Sequence, residues 1–169
     1  MRVHRRSLSA LSSIRVNRMA ILLIGGLVMI VDQISKTWVI NTLLPGRPVP
    51  WLPGLIQLRW VRNTGAAFSL FSDSTLLLSL MSLGVGLGLV VWIWRNRQHG
   101  IWQGMALAFL LGGTIGNGID RWRLGHVTDF LELTPVTFPI FNIADIAINV
   151  AVICFVLDTL TRRRERIDP

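Results

Sequence analysis

The sequence predicts an all-α polytopic membrane protein of four transmembrane helices, with a small extracytoplasmic β segment. Three observations predict it. Of 169 residues, 51% are hydrophobic and only 15% charged, whereas soluble domains carry about 25% charged residues. Four apolar stretches are each long enough to cross a bilayer, which takes about 20 helical residues. The basic residues gather at the ends of these stretches rather than along one face.

Residues 1–18 read as a basic arm with Arg2, Arg5, Arg6, Arg15 and Arg18. A basic start followed by Met19–Val31 has the look of a signal peptide. No small-x-small cleavage site follows, however, and the next residues are Asp32 and Gln33. The stretch is therefore expected to be an uncleaved first span, near 19–40, that includes Asp32 and Lys36. From Thr42 to Asp73, Pro45, Pro48, Pro50 and Pro53 disfavour a continuous helix. Within this stretch Ile56, Leu58 and Trp60 alternate with Gln57, Arg59 and Val61, the pattern of a half-buried strand.

The second span, near 74–94, carries no charge, and neither does the third, near 101–119. Gly84 with Gly88, and Gly112 with Gly116, form small-xxx-small patterns expected to be helix-packing faces. The connection from Trp122 to Phe138 carries His126, Asp129 and Glu132. The fourth span, near 139–160, contains Asp145 and Asp158, and Asp158 is spaced to pair with Arg162. The single Cys154 is expected to be a small buried hydrophobe. Residues 19–161 thus read as one membrane domain, and 162–169 as a basic tail.

An even number of spans puts both termini on one side. The arm, the turn with Arg95 and Arg97, and the tail then hold eleven basic residues, against five in the opposite connections. Positive charge favours the cytoplasm, so both termini are expected there. The net charge of +8 is accounted for by this placement, which argues against a nucleic-acid partner.

At 1.5 Å per helical residue, Asp32 and Lys36, then Asn117, Asp120 and Arg121, then Asn142 and Asp145, fall at one depth near the outer face. Asp129 lies on the connection between the last two spans. For Asp32 and Lys36, mutual neutralisation and substrate contact both remain open. Arg121 reads first as a helix-end hydrogen-bonding group, and Asn63 as either a turn former or a site residue. Asp129 and Asp145 have no basic partner three or four residues away. Two carboxylates sharing a site hold one proton between them, so the anion can activate water while the neutral acid binds a carbonyl. Proton-relay acids of a small proton-coupled transporter subunit would look much the same. His126 and Asp129 could join a metal site, but there is no His-Glu-x-x-His. No metal or other cofactor is expected.

Five blocks carry a family resemblance: Asp32-Gln33-Ile34-Ser35-Lys36, Asn63-Thr64-Gly65-Ala66-Ala67-Phe68, Gly116-Asn117-Gly118-Ile119-Asp120-Arg121, Val127-Thr128-Asp129-Phe130 and Phe141-Asn142-Ile143-Ala144-Asp145. In order and spacing they resemble the bacterial lipoprotein signal peptidases, also called signal peptidase II. The resemblance implies an intramembrane aspartic endopeptidase of the bacterial plasma membrane, with Asp129 and Asp145 as its catalytic dyad. It implies that Asp32, Lys36, Asn63, Gly65, Asn117, Asp120, Arg121, Asn142 and Ala144 bind substrate or shape the site. It further implies substrates that are diacylglyceryl-modified prolipoproteins, cut just before the lipidated cysteine at the outer leaflet, with membrane lipid as the surroundings.

Overall fold

The computed structural model describes residues 14–65 and 75–167, with side chains described as far as Arg162. Most of the basic arm, Ala66-Ala67-Phe68 of the second block and the tail beyond Arg162 lie outside the described side chains. Four helices form the body: α1 Arg18–Thr42, α2 Thr75–Arg95, α3 Ile101–Leu124 and α4 Ile143–Ile167. Three antiparallel strands lie at one end in the order β2-β3-β5: β2 Val49–Leu52, β3 Ile56–Asn63 and β5 Val127–Leu133. At the other end β1 Arg15–Asn17 pairs with β4 Gln98–Gly100.

Three of the helices, α1, α2 and α4, are long and apolar enough to cross a membrane. The third stretch differs from the expectation. Helix α3 is long enough but is diluted by Gly104, Gly112, Gly113, Gly116, Gly118, Asn117, Asp120 and Arg121. Its position explains the composition, because α3 packs against each of the other three helices. From Ile101 to Arg121 it exposes no large apolar side chain, whereas α1 exposes Leu23, Leu27, Ile30, Ile34 and Trp38. The outer helices present hydrocarbon outward and polar groups inward, the arrangement a lipid solvent favours.

Glycines set how closely the helices approach. A Cβ on Gly113 would lie 2.6 Å from the Ala144 carbonyl oxygen, and one on Gly116 would lie 2.6 Å from Asp32 Oδ2. Gly112 likewise meets Gly25 and Val28 of α1. The expected packing role therefore holds for Gly112 and Gly116. It does not hold for Gly84 and Gly88, which meet nothing within 4 Å among the described residues. They lie on the outward side of α2.

The helix ends also depart from the spacing-based boundaries. Helix α3 runs on through Asp120-Arg121-Trp122-Arg123 and stops at Gly125, whose φ of +75° suits glycine. Helix α4 begins at Ile143, not near 139, because the chain before it is held as a strand extension. Phe141 N–H donates to Leu131 O at 3.1 Å, and Leu131 N–H donates to Phe141 O at 2.8 Å. Residues 127–133, expected only as a connection, form β5 along β3. The alternation at Ile56–Val61 is a strand as expected, with Leu58 and Trp60 buried against Val39, Phe130 and Leu131. Pro50 is tolerated because β2 is an edge strand.

The small β1–β4 sheet was not foreseen. It ties the segment before α1 to the α2–α3 turn, and Arg18 stacks 4.4 Å over Trp94. Asp158 and Arg162 pair at 2.8 Å, and Cys154 is buried, both as expected.

Replacing Gly113 with Ala should lower stability by about 1–3 kcal/mol, the cost of overpacking a tight contact. Gly84→Ala should stay within about 1 kcal/mol of wild type. Thermal unfolding in detergent micelles checks the contrast; equal effects at both positions would refute the close α3–α4 approach.

Candidate active site

Helix α1 brings Asp32 and Lys36 to its inner face, one turn apart, and both are essentially inaccessible. Lys36 Nζ lies 2.8 Å from Asp32 Oδ2 and 3.3 Å from Asp120 Oδ2 on α3. It also donates to Asn117 Oδ1 at 2.8 Å. An ammonium has three protons, and here three acceptors face it. The mutual-neutralisation reading of Asp32 and Lys36 is thus the observed geometry, widened to include Asp120.

Each acid has a second engagement. Asp32 Oδ1 accepts the backbone N–H of Ala144 at 2.9 Å, and Asp120 Oδ2 accepts that of Thr128 at 2.9 Å. The Ala144 amide belongs to the first turn of α4, where helical amides lack intrahelical acceptors. The carboxylate from α1 supplies one.

Asn142 caps the same helix. Its Oδ1 accepts from Asp145 N–H at 2.9 Å, while Asp145 Oδ2 accepts from Asn142 N–H at 3.1 Å. This is the reciprocal pattern of a capping box, with Asp in the role usually taken by Glu or Gln. Asn142 Nδ2 then donates to Asp129 Oδ1 at 2.7 Å and to Asn117 Oδ1 at 3.0 Å. Asn117 Nδ2 donates to Asp145 Oδ1 at 2.9 Å. The two aspartates, from β5 and α4, are therefore tethered to the same asparagine.

Asn63, at the end of β3, donates to Asp129 Oδ2 at 2.8 Å and accepts Gly65 N–H at 3.0 Å. It thus forms a turn and touches the acid, uniting both earlier readings. Arg121 Nη2 donates to Gly65 O at 3.1 Å, and its charge lies within electrostatic reach of Asp145, Asp129 and Asp120. All eleven predicted site residues converge on one network. His126 stands apart, its Nδ1 against Leu124 O at 2.9 Å. Among the described residues no three His, Cys, Asp or Glu side chains cluster as metal ligands.

The two aspartates have unlike surroundings. Asp129 is almost completely buried and Asp145 is half-buried. Burial, then the nearby Asp145 charge, pushes Asp129 up to about 7, against the opposing amide donors Asn63 and Asn142 and the Lys36 charge. A neutral Asp129 carboxyl can therefore persist near neutral pH.

Sequence reasoning passed over Gln33 and the Thr128 amide. Gln33 Nε2 lies 3.0 Å from Asp120 Oδ1, 3.0 Å from Gly116 O and 3.2 Å from Asp32 Oδ2. The available signal was a long amide inside an apolar span, beside a charged residue. Backbone donors such as Thr128 N–H carry no side-chain signature.

Two carboxyls tethered to one asparagine inside a bundle with an apolar outer surface fit the chemistry of a membrane aspartic peptidase. Residues 24–161 match the family model described as Signal peptidase (SPase) II. The chain is 58% identical over 146 residues to a lipoprotein signal peptidase of Parasynechococcus marenigrum (strain WH8102), covering 86% of this chain and 92% of that one. It is 50% identical over 147 residues to another from Synechococcus sp. (strain RCC307), covering 86% and 97%. Among solved structures, a bacterial membrane enzyme at 2.3 Å superposes with a TM-score of 0.81 and 28% identity, over 88% of this chain and 92% of that chain. A second, at 1.9 Å, gives 0.75 and 30%, over 83% and 92%. The chain belongs to the signal peptidase II family of lipoprotein signal peptidases, and it is a multi-pass membrane protein.

Lys36→Met would leave Asp32 and Asp120 buried without a counter-charge, at a cost of about 3–5 kcal/mol. Adding Asp32→Asn should restore part of that loss. A double-mutant cycle read by thermal unfolding checks the coupling; simple additivity would contradict it.

Proposed function

We propose that Asp129 and Asp145 carry the reaction of this aspartic peptidase, removal of the signal peptide from a prolipoprotein. The single observation behind the assignment is the tether: Asn142 binds Asp129 through its side chain and Asp145 through its backbone. Asp145, half-exposed, takes a proton from water as the water oxygen attacks the scissile carbonyl carbon. Asp129, neutral at the start, gives its proton to the carbonyl oxygen. When the C–N bond breaks, Asp145 returns its proton to the leaving amine and Asp129 recovers its own. Asn63, Asn117 and Asn142 hold the carboxyls in place, and Arg121 fixes the turn at Gly65 beside them.

The preferred substrate is a prolipoprotein whose cysteine bears diacylglycerol, cut just before that cysteine. Two acyl chains would seat the cysteine in the leaflet and bring the scissile bond to the depth of the pair. The basic residues at the β1–β4 end support a topology with both termini cytoplasmic and the β2-β3-β5 sheet outside. In that topology α3 is the fourth crossing, sheltered by the others, and the pair opens toward the outer leaflet of the plasma membrane.

Asp129→Asn and Asp145→Asn should each reduce cleavage of a diacylglyceryl-modified precursor by at least about a thousandfold, with the protein still folded and inserted. Wild-type turnover by either variant would defeat the assignment. The wild-type rate should fall as pH rises through about 7, where Asp129 loses its proton. Asn63 donates to Asp129 and so favours its anion; Asn63→Leu should therefore move that decline to higher pH. A decline that shifts downward, or that is missing from the pH–rate profile up to pH 9, would contradict the assigned proton.

A further inference from the structure

The aspartates of the proposed pair are each preceded by a residue whose backbone amide is held by a buried acid. Ala144 N–H binds Asp32, and Thr128 N–H binds Asp120. These clamps come from different helices and grip different elements, the first turn of α4 and strand β5. Their separation therefore sets the separation of Asp145 and Asp129. Lys36 attracts both acids, but a spherical ammonium on a flexible stem gives little directional control. Gln33 supplies the direction. Its two amide hydrogens are shared among Asp32 Oδ2, Asp120 Oδ1 and the Gly116 carbonyl between them. A Cβ at Gly116 would strike Asp32 Oδ2, so the glycine allows α1 and α3 to approach this closely.

We propose that Gln33 is a positioning residue for the peptidase reaction, locking the two amide clamps at the spacing the aspartate pair needs. The proposal rests on the assignment of Asp129 and Asp145. Gln33 touches neither of them and has no contact with the reacting atoms. Its effect is on alignment in the transition state, so it acts on kcat and leaves substrate affinity alone. Ionic attraction through Lys36 persists without it, so the bundle holds while the spacing loosens.

The test uses Gln33→Met, which keeps the side chain's length and removes both donors, and Gln33→Glu, which replaces them with a carboxyl. Both variants are assayed as full-length protein in detergent micelles with a diacylglyceryl-modified precursor, beside Asp129→Asn and Asp145→Asn. For Gln33→Met the expected result is a kcat lower by about ten- to a hundredfold, the range typical of misplaced catalytic groups, with KM within about twofold and unfolding temperature near wild type. Gln33→Glu should lose at least as much. Wild-type kcat in either folded variant overturns the proposal, as does a loss confined to KM. Failure of both variants to fold also overturns it, because Gln33 would then serve the fold rather than the alignment. If the Asn variants are inactive while the Gln33 variants match wild type, only the positioning role falls. Activity in the Asn variants removes the underlying assignment itself.

Discussion

One ammonium between two carboxylates organises the polar half of this molecule. Lys36 lies within 3.3 Å of both Asp32 and Asp120, with all three side chains nearly inaccessible. Charges at this depth are tolerated only when paired and fully hydrogen-bonded. Each acid receives three contacts, from Lys36, from Gln33 and from one backbone amide. The same contacts that neutralise the charges fix α1 to α3, to the start of α4 and to β5. A single electrostatic requirement thereby joins four elements beside the proposed aspartate pair.

The second constraint is backbone pairing at the end of the bundle. Phe141 exchanges hydrogen bonds with Leu131, so the chain entering α4 lies along β5. This brings Asn142 beside Asp129 and makes the helix cap double as the tether between the two aspartates. Capping is needed wherever a helix begins; here the capping residue also holds Asp129.

Close helix approach makes both constraints possible. Helix α3 gives up large side chains where α1 and α4 reach it, and its glycines bring Asp32 and Ala144 within contact distance. The outward glycines of α2 have no such partner, although their spacing is the same. A small-xxx-small pattern states that a close approach is permitted; neighbours decide whether it occurs.

The sequence by itself determined the class of protein, the four helical stretches and a strand across Ile56–Val61, which the fold extends to Asn63. Asp32, Lys36, Asn117, Asp120, Arg121, Asn142 and Asp145 stood out because polar groups are costly in or beside apolar stretches, whereas Gly65 and Ala144 entered only through the family resemblance. The first contact of Lys36 was legible as well, since Asp32 is four residues away on the same helix face. Tertiary structure decided the rest. The pairing of Lys36 with Asp120, the β5 strand, the late start of α4 and the contacts of Gln33 with α3 all depend on partners distant in the chain. Backbone amides such as those of Ala144 and Thr128 are identical in every sequence, so only folding reveals which carboxylate receives them. The raised proton affinity of Asp129 belongs to the same group: it arises from burial and from a neighbouring charge, and neither exists until the elements meet.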